Sequence, residues 1–479
     1  MRIVFINPHE EPFVNIGLAY VMSAVEAKHK VKLLDMAFHS KRFEEYVVKE
    51  LKDYGAQVVG FSVTSFSYFR ALKIAEVIRR QYPWIRLVYG GVHPTLMAEE
   101  TIQHPLVDAI CVGEGEDALG EYLDALEMDR DPEAVAGIWY KQPDGSIVRN
   151  ALRPFREDLD GLAFPNWDHW EIEKYLKINE SFVGGLRHLY SRGCPYSCTF
   201  CSNPAIRAVV PGKFFRYRSP ENVIAEIKLN REKYHKIGFK RVAFGDATFG
   251  LNRDPLVRLC ALYRKENLHR DLIWHCQTRP DVITREWVST VSESGCCMVN
   301  LGVESGDSYI RTKVYGKEFS NACIINATQE LQRQAVPYLL SLIIGCPQES
   351  AASVRNTIAL LDQIRPLKVH ITFYLDFKKA QRQGGLFKSW NMPDGTTRQL
   401  TAFQMKRYMV IFFVRRMYTF LYFGFKWRGV GFIKDIATYI FSINKVRVVP
   451  LWNYCFIMGL ELFTVIEYAI TPSRHKNIR

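Results

Sequence analysis

The stretch Ser191-Arg192-Gly193-Cys194-Pro195-Tyr196-Ser197-Cys198-Thr199-Phe200-Cys201 places three cysteines within eight residues. Thiolates are soft ligands that suit iron–sulfur clusters and zinc. Structural zinc needs four ligands, and no further Cys-x-x-Cys or His pair nearby completes such a set, so the spacing favours a cluster. A four-iron cubane held by three thiolates would keep one iron open to a small molecule. The residues Gly193, Pro195 and Ser197 predict a loop here rather than a run of buried core thiols.

Around this loop, apolar strands alternate with helices as far as residue 373. About six βα units result, which are too few for a closed eight-stranded barrel. We therefore predict an α/β domain over residues 181–378, an open partial (β/α)6 barrel with its site at the carboxyl ends of the strands. The predicted strands are residues 186–190, 241–244, 272–276, 297–301, 338–344 and 368–373.

Three charged residues, Asp246, Arg279 and Glu304, each follow a predicted strand of this barrel. A charge at such a position is costly unless a ligand or water compensates it, so all three are candidates for ligand binding. For each residue taken alone, an ordinary loop charge remains the alternative. Five other cysteines of this domain are more typical of small core residues than of ligands; they are Cys276, Cys296, Cys297, Cys323 and Cys346.

Residues 1 to about 150 also alternate short apolar strands with helices, and they end in a hairpin around Pro143-Asp144-Gly145. This pattern predicts a parallel, doubly wound, Rossmann-like domain, followed by a linker over residues 151–180. Such sheets bind ligands at the carboxyl ends of their strands. A degenerate domain that binds nothing is the alternative. The candidate binding residues at those ends are Ser62, Thr64, Gly90, Gly91, His93, Gly113 and Glu114.

The cysteine spacing, with the aromatic Phe200 before the last cysteine, resembles the cluster motif of the radical S-adenosyl-L-methionine (SAM) enzymes. The later strands are similar to the radical SAM domain of one large subfamily, in which the turns Glu304-Ser305-Gly306 and Gly345-x-Pro347 recur. One departure concerns the substrate side: where that subfamily has a Pro-Gly-Thr turn after the last strand, this chain has residues 381–387.

This resemblance implies that Cys194, Cys198 and Cys201 hold a [4Fe–4S] cluster whose open iron chelates SAM. The reduced cluster would cleave SAM to methionine and a 5′-deoxyadenosyl radical, and its reduction implies an electron donor such as flavodoxin or ferredoxin. The residues implied to contact SAM, or to lie beside it, are Asp246, Arg279 and Glu304.

The N-terminal strand tips resemble the cobalamin-binding domain that precedes the radical SAM domain in the same subfamily, so the resemblance covers about residues 1–375. The Asp-x-His-x-x-Gly motif of cobalamin mutases is absent, because Asp35 and His39 have the wrong spacing. The resemblance implies that cobalamin binds with its own base displaced and no histidine on the cobalt. The matching segments are residues 17–20, 90–95 and 113–116.

The formal net charge of +13 is concentrated after about residue 378, in a region predicted to be mainly helical, basic and aromatic (residues 379–479). Its apolar runs, Phe403–Trp427 and Val448–Ile470, fit amphipathic helices packed on the barrel, a cap at an anionic membrane surface, or a true span. Intramembrane charges disfavour the span. Long apolar stretches between the basic residues argue against nucleic-acid binding.

An odd count of eleven cysteines and no apparent signal peptide predict a cytoplasmic protein, with peripheral contact at the inner face of the membrane as an added hypothesis. Our leading hypothesis for function is an enzyme that methylates an unactivated carbon of a small-molecule or lipid substrate, using the cluster, SAM and cobalamin. One alternative is cyclisation or rearrangement with the same cofactors. Another is a corrinoid or redox sensor that turns nothing over.

Overall fold

The computed structural model of the chain describes residues 1–9, 12, 14–39, 42–178, 185–374, 390–391 and 397–398. These residues form two compact units. The first contains Met1–Lys177, Gly185–Phe249 and Asp254–Leu272, and the second contains Gly250–Arg253 and the described residues from Ile273 onward.

A seven-stranded sheet opens the first unit, with strands β1 (Arg2–Asn7), β2 (Lys30–Asp35), β3 (Val58–Ser62), β4 (Arg86–Gly90), β5 (Ala109–Cys111), β6 (Ile138–Lys141) and β7 (Ile147–Arg149). Their order across the sheet is β2-β1-β3-β4-β5-β6-β7. The first five strands pair in parallel, and β6 and β7 add an antiparallel hairpin. The strand order reverses between β1 and β3, which is where sheets of this kind bind ligands.

Helices connect these strands because their apolar positions recur on one face and bury against the sheet. At the start of the first helix, the Asn15 side chain accepts a hydrogen bond from the Leu18 amide and caps it. The helices are α1 (Ile16–Glu26), α2 (Phe43–Tyr54), α3 (Tyr68–Gln81), α4 (Val92–Leu96), α5 (Ala98–Gln103), α6 (Glu116–Glu127) and α7 (Ile172–Ile178), with 3-10 turns at Pro132–Ala134 and Trp167–His169.

The rest of the first unit contains a parallel strand pair and a short antiparallel ribbon. Ser219 caps the longest helix here, accepting a hydrogen bond from the Asn222 amide, with Pro220 at the first helical position as the sequence predicts. The elements are β8 (Leu186–His188), β9 (Ser191–Arg192), α8 (Asn203–Val209), β10 (Arg216–Tyr217), α9 (Pro220–Tyr234), β11 (Arg241–Phe244) and α10 (Arg253–Lys265), with 3-10 turns at His235–Ile237 and Leu268–Arg270. Strand β8 pairs with β11, and β9 pairs with β10.

Parallel strands separated by helices also make up the second unit. Its elements are β12 (Ile273–Thr278), α11 (Arg285–Glu293), β13 (Cys296–Glu304), α12 (Asn321–Arg333), β14 (Tyr338–Ile344), α13 (Ala351–Ile364) and β15 (Lys368–Phe373), with a 3-10 turn at Pro280–Val282, a π-helical turn at Ile310–Val314 and a short antiparallel pair, Trp390–Asn391 with Thr397–Arg398. Strands β12 to β15 pair in chain order.

The predicted α/β fold class is confirmed, and the predicted strands and long helices are present with shifts of a few residues at their ends. The structure adds short helices that have no long apolar period, such as Val92–Leu96 directly after the glycine pair of β4. The predicted helical region 379–479, with its two apolar runs, and the segment 381–387 lie outside the described residues, apart from the two short strands. Within the described part of the chain, no helix is both long and apolar enough to cross a membrane.

Candidate functional site

The cysteine loop begins directly after β9 through a turn that requires glycine. Gly193 has a φ of 81°, and a Cβ atom there would lie 2.2 Å from the carbonyl oxygen of Phe214. Cys198 is buried, whereas Cys194 and Cys201 are partly exposed. The chain therefore turns sharply off the β9–β10 ribbon and presents three thiols on a short loop.

Hydrogen bonds hold the cysteine loop in shape. The Cys201 amide donates to the Cys198 carbonyl at 3.2 Å, and the Asn203 amide, at the start of α8, approaches the Cys201 sulfur at 3.5 Å. The Cys194 sulfur lies 3.7 Å from the Thr248 hydroxyl oxygen. An N–H donor at sulfur favours the thiolate, which is the form that ligates metals.

Arg207 on α8 forms hydrogen bonds with two residues of the loop. No sequence pattern predicts this role for Arg207. Its guanidinium donates to the Pro195 carbonyl at 3.0 Å and to the Ser197 hydroxyl at 2.8 Å. The loop is therefore restrained by contacts of its own, as a preformed metal site requires.

Asp246, which follows β11, holds the residues that enter the loop. One carboxylate oxygen accepts a hydrogen bond from the Tyr190 amide at 3.1 Å, and the other accepts from the Ser191 amide and hydroxyl, both at 2.5 Å. Burial raises the pKa of Asp246 to about 6, although these hydrogen bonds oppose the rise. The folded chain thus binds this proton more tightly than the unfolded chain does. The part of the stability that comes from this tighter proton binding is therefore fully present below about pH 4 and is lost as the pH rises through 6, whereas the three hydrogen bonds to the carboxylate remain at neutral pH.

Replacing Asp246 by alanine is expected to lower the free energy of unfolding by roughly 2–3 kcal/mol, because three buried donors lose their acceptor while the removal of a buried charge offsets part of the loss. Asp246→Asn should cost less, since one acceptor oxygen remains. Urea unfolding at neutral pH compares the two. If Asp246→Ala proves as stable as the wild-type protein, the carboxylate does not hold the entry to the loop.

At the carboxyl edge of the N-terminal sheet, the structure brings together the tips of β3 and β4. Ser62 is opposite Gly90 in the register, and the Val63 amide donates to the Gly90 carbonyl at 2.8 Å. Gly91 has a φ of 97°, and a Cβ there would lie 2.8 Å from the Val63 carbonyl oxygen. At Gly90, by contrast, a Cβ would meet no atom closer than 3.7 Å. The protein's own packing therefore does not require a glycine at position 90, whereas a ligand lying against the backbone would.

His93 and Thr64 stabilise this edge from within. The His93 ring is stacked on Tyr68 with 4.0 Å between centroids, and its Nδ1 lies 3.0 Å from the Ser65 hydroxyl. Burial lowers the pKa of His93 to about 4, so the ring is neutral at physiological pH. The Thr64 amide donates to the Ser67 hydroxyl at 3.0 Å, which begins the turn into α3.

Gly113 and Glu114 follow β5 at the same edge. Gly113 has a φ of 100°, and its amide donates to the Thr95 hydroxyl at 3.1 Å. The Glu114 carboxylate is gripped by the Arg216 guanidinium at 2.8 and 2.9 Å and is also paired with Arg192 at 3.2 Å. Burial alone would raise the pKa of Glu114, but these guanidiniums hold it below its ordinary value.

In the second unit, the two remaining candidates each have a charged neighbour. Arg279 forms a bidentate pair with Asp281 at 2.7 and 2.9 Å. Glu304, at the end of β13, accepts a hydrogen bond from the Lys317 ammonium at 2.7 Å, and the same ammonium donates to the Gly302 carbonyl at 2.8 Å.

Glu304 also has a left-handed backbone, with a φ of 66°, which is strained for a residue other than glycine. Such strain is typical of functional positions, where the surrounding contacts fix the side chain. Sequence reasoning did not identify Lys317, because it lies thirteen residues beyond Glu304 and outside any regular element.

Comparison with known proteins agrees with this arrangement. Residues 4–123 match the family described as the B12 binding domain, and residues 189–361 match the Radical SAM superfamily. The uncharacterized methyltransferase PH0819 of Pyrococcus horikoshii is 29% identical over 368 residues, which are 75% of this chain and 77% of that protein. The anaerobic magnesium-protoporphyrin IX monomethyl ester cyclase of Rubrivivax gelatinosus is 26% identical over 386 residues, 76% of this chain and 66% of that protein.

Among solved structures, the radical S-adenosylmethionine methyltransferase TsrM from Kitasatospora setae superposes with a TM-score of 0.65 at 18% identity, covering 82% of this chain and 75% of that one. At this identity the likeness shows the fold. The two matched families follow each other along one chain in the order that the sequence predicts. This protein therefore carries a B12 binding domain followed by a radical SAM domain and belongs to the cobalamin-binding radical SAM enzymes, whose cofactors are a [4Fe–4S] cluster, SAM and cobalamin.

Proposed function

We propose that this enzyme methylates an unactivated carbon of a lipophilic small molecule. The observation that carries the proposal is that the cysteine loop lies in the same compact unit as the N-terminal parallel sheet, which has glycines at the carboxyl ends of its strands. When bound, the cluster and SAM supply a 5′-deoxyadenosyl radical and cobalamin supplies the methyl group. The residues of the chain bind and orient these groups and exclude water. A small electron carrier such as flavodoxin or ferredoxin would reduce the cluster.

In this proposal Cys194, Cys198 and Cys201 ligate the cluster. The support is their thiol chemistry, the short loop and the amide directed at the Cys201 sulfur. Asp246 acts beside the SAM site by fixing Ser191 at the entry to the loop, since both of its oxygens accept hydrogen bonds there.

Arg279 and Glu304 are proposed to contact SAM or to lie beside it, because each follows a strand at its carboxyl end. Both side chains are more than nine-tenths buried, and each is oriented by an opposite charge, Asp281 for Arg279 and Lys317 for Glu304. A paired charge keeps its position before a ligand arrives, which is the geometry that SAM binding needs.

Cobalamin is proposed to bind along the tips of the N-terminal sheet. A glycine at position 90, which the protein's own packing does not require, supports a close approach of the ligand to the backbone. The polar and glycine residues that would line this edge are Ser62, Thr64, Gly90, Gly91, His93 and Gly113, with Glu114 as a support for the cysteine loop beside it.

The bound cobalamin is expected to show a base-off spectrum without histidine coordination. His39 is engaged by Glu171 at 2.7 Å, and the His93 ring is buried and stacked on Tyr68, so neither ring is presented to a ligand at the surface of a strand tip. His39→Ala should leave the cobalamin absorption spectrum unchanged, and His93→Ala should do so in the fraction that folds. A spectrum of histidine-nitrogen coordination that disappears in either variant would overturn this expectation.

A lipophilic substrate is favoured by two observations. Phe66 and Phe69, at the turn from β3 into α3, are about half exposed at the edge where the cofactor would bind. The cyclase relative is named for a porphyrin ester, a largely apolar ring system. An apolar ligand would cover such side chains, which otherwise face water at a cost.

The cyclase relative also favours the second candidate function, ring formation with the same cofactors. Anaerobic incubation with small-molecule and lipid extracts and SAM labelled with a trideuteromethyl group separates the two candidates. The proposal predicts a product in which that labelled group has replaced one hydrogen. A new unlabelled product would favour cyclisation or rearrangement, and no SAM turnover with any extract would favour a sensor.

Peripheral attachment to anionic membranes is a further expectation for residues 379–479, argued from their sequence alone. Each basic residue near an anionic surface contributes roughly 1 kcal/mol, a term that salt weakens, while apolar aromatic side chains add a term that salt does not weaken. The full-length protein should float with anionic liposomes, less so at high salt, and poorly with neutral liposomes. Equal, negligible flotation with both kinds would refute the attachment.

A further inference from the structure

The β9–β10 ribbon carries the cysteine loop, and three arginines leave it toward the N-terminal sheet. Arg192 is the last residue of β9, two positions before Cys194. Arg216 lies opposite it in the register of β10, and Arg218 follows that strand. Because only Gly193 separates Arg192 from the first cysteine, the position of Arg192 restricts the position of Cys194.

Glu114 and Glu116, which follow β5, form ion pairs with Arg192 and Arg216. Arg216 grips both oxygens of Glu114, at 2.8 and 2.9 Å. Arg192 reaches Glu114 at 3.2 Å and Glu116, the first residue of α6, at 2.7 Å. The pair of Arg216 with Glu114 joins residues 102 positions apart in the sequence and that of Arg192 with Glu114 joins residues 78 positions apart, and Glu114 is shared between both guanidiniums.

Tyr20 on α1 forms the third attachment. Its hydroxyl accepts a hydrogen bond from Arg218 at 2.9 Å, while the Arg192 guanidinium lies 4.7 Å from the centre of its ring. Arg218 is in turn fixed by Glu226 on α9 at 2.5 Å. The ribbon is thus attached to both α1 and the β5 tip.

Several of the paired side chains are buried, which favours a role in positioning the ribbon over a role in balancing surface charge. The side chains of Arg216 and Arg218 are 3% and 4% exposed, and that of Glu116 is 6% exposed. A buried ion pair loses much of its Coulomb energy to desolvation, so its use is better explained by the register that it enforces than by stability. Bidentate guanidinium–carboxylate contacts are also the most restrictive in direction.

We infer that Arg192, Arg216 and Arg218 with Tyr20, Glu114 and Glu116 form an arginine clamp that fixes the distance from the cluster to the cobalamin. These six are positioning residues and touch neither reacting group. The inference rests on the proposed cluster and cobalamin sites. Its consequence is that loosening the clamp leaves both groups bound but lets their separation vary.

The test uses full-length protein loaded with cluster and cobalamin, then reduced so that both carry one unpaired electron. Pulsed electron paramagnetic resonance measures the distance distribution between the two spins. The wild-type protein should give one narrow distribution. Glu114→Gln and Arg216→Met should keep iron and cobalamin contents at wild-type levels while the distribution broadens or shifts, and Arg216→Lys should broaden it less.

The matched control is Arg149→Met, which removes a bidentate pair between Arg149 on β7 and Glu99 on α5, at 2.8 Å for both contacts. It should leave the distribution as in the wild-type protein. A wild-type distribution in both Glu114→Gln and Arg216→Met, with both groups bound, overturns the clamp. If the wild-type protein itself binds no cluster or no cobalamin, the proposed function fails instead.

Discussion

Replacing Cys198 by alanine is expected to remove the iron–sulfur cluster and with it all cleavage of SAM. Because only three thiolates hold the cluster, the loss of the buried Cys198 should prevent its assembly. The shape of the loop should persist, because the contacts of Arg207 with Pro195 and Ser197 do not involve this side chain. Anaerobically reconstituted wild-type protein should contain about four irons and release 5′-deoxyadenosine. The variant should contain almost none and release none.

Cys323→Ala on α12 is the control, because this partly exposed thiol lies on a helix outside the loop. It should keep wild-type iron content and activity. A full iron–sulfur absorption spectrum in a variant lacking Cys194, Cys198 and Cys201 together would show that the cluster is held elsewhere.

Gly90→Val is expected to weaken cobalamin binding by roughly 10- to 100-fold relative to the wild-type protein. The valine methyl groups would project from a Cβ that has only ordinary van der Waals neighbours, the nearest at 3.7 Å, toward the place where the ligand is proposed to lie. Overpacking of a tight contact costs about 1–3 kcal/mol, which corresponds to roughly 10- to 100-fold weaker binding. Absorption of cobalamin retained after gel filtration measures the effect, and the thermal midpoint should change little.

Gly120→Val makes the same substitution on α6, where a Cβ would meet no atom within 4 Å. It should retain cobalamin as the wild-type protein does. Should Gly90→Val bind cobalamin with unchanged affinity, the ligand does not lie against the tip of β4, and the proposed edge would be wrong.

Much of the fold could be predicted because its elements follow simple periods. Strand β14, for example, is a continuous apolar run bounded by turn residues, and its observed limits are the predicted ones. The cap at Ser219 was visible for the same reason, since a serine followed by proline marks the start of a helix. Such signals are local and need no knowledge of what packs against them.

The partners of the candidate residues could not be predicted, because they depend on contacts between distant segments. Glu114 follows a strand tip in the sequence, and this position suggests a ligand contact. Its partner Arg216 lies 102 residues away on a two-residue strand that has no periodicity. The same holds for Asp246, whose acceptance of the Ser191 amide links residues 55 positions apart. The sequence can thus identify candidate functional residues one by one. The structure is needed to distinguish residues that contact a ligand from those that hold other residues in place.

The most direct test of the proposed methylation is the ratio of 5′-deoxyadenosine to S-adenosylhomocysteine formed while the enzyme methylates its substrate. Replacing a hydrogen by a methyl group requires one SAM to accept the hydrogen, as 5′-deoxyadenosine, and a second SAM to donate the methyl, leaving S-adenosylhomocysteine. Anaerobic reactions analysed by mass spectrometry should therefore yield the two compounds in equal amounts, each matching the methylated product. Substrate-dependent 5′-deoxyadenosine without S-adenosylhomocysteine would contradict methylation, and the absence of both would contradict catalysis altogether.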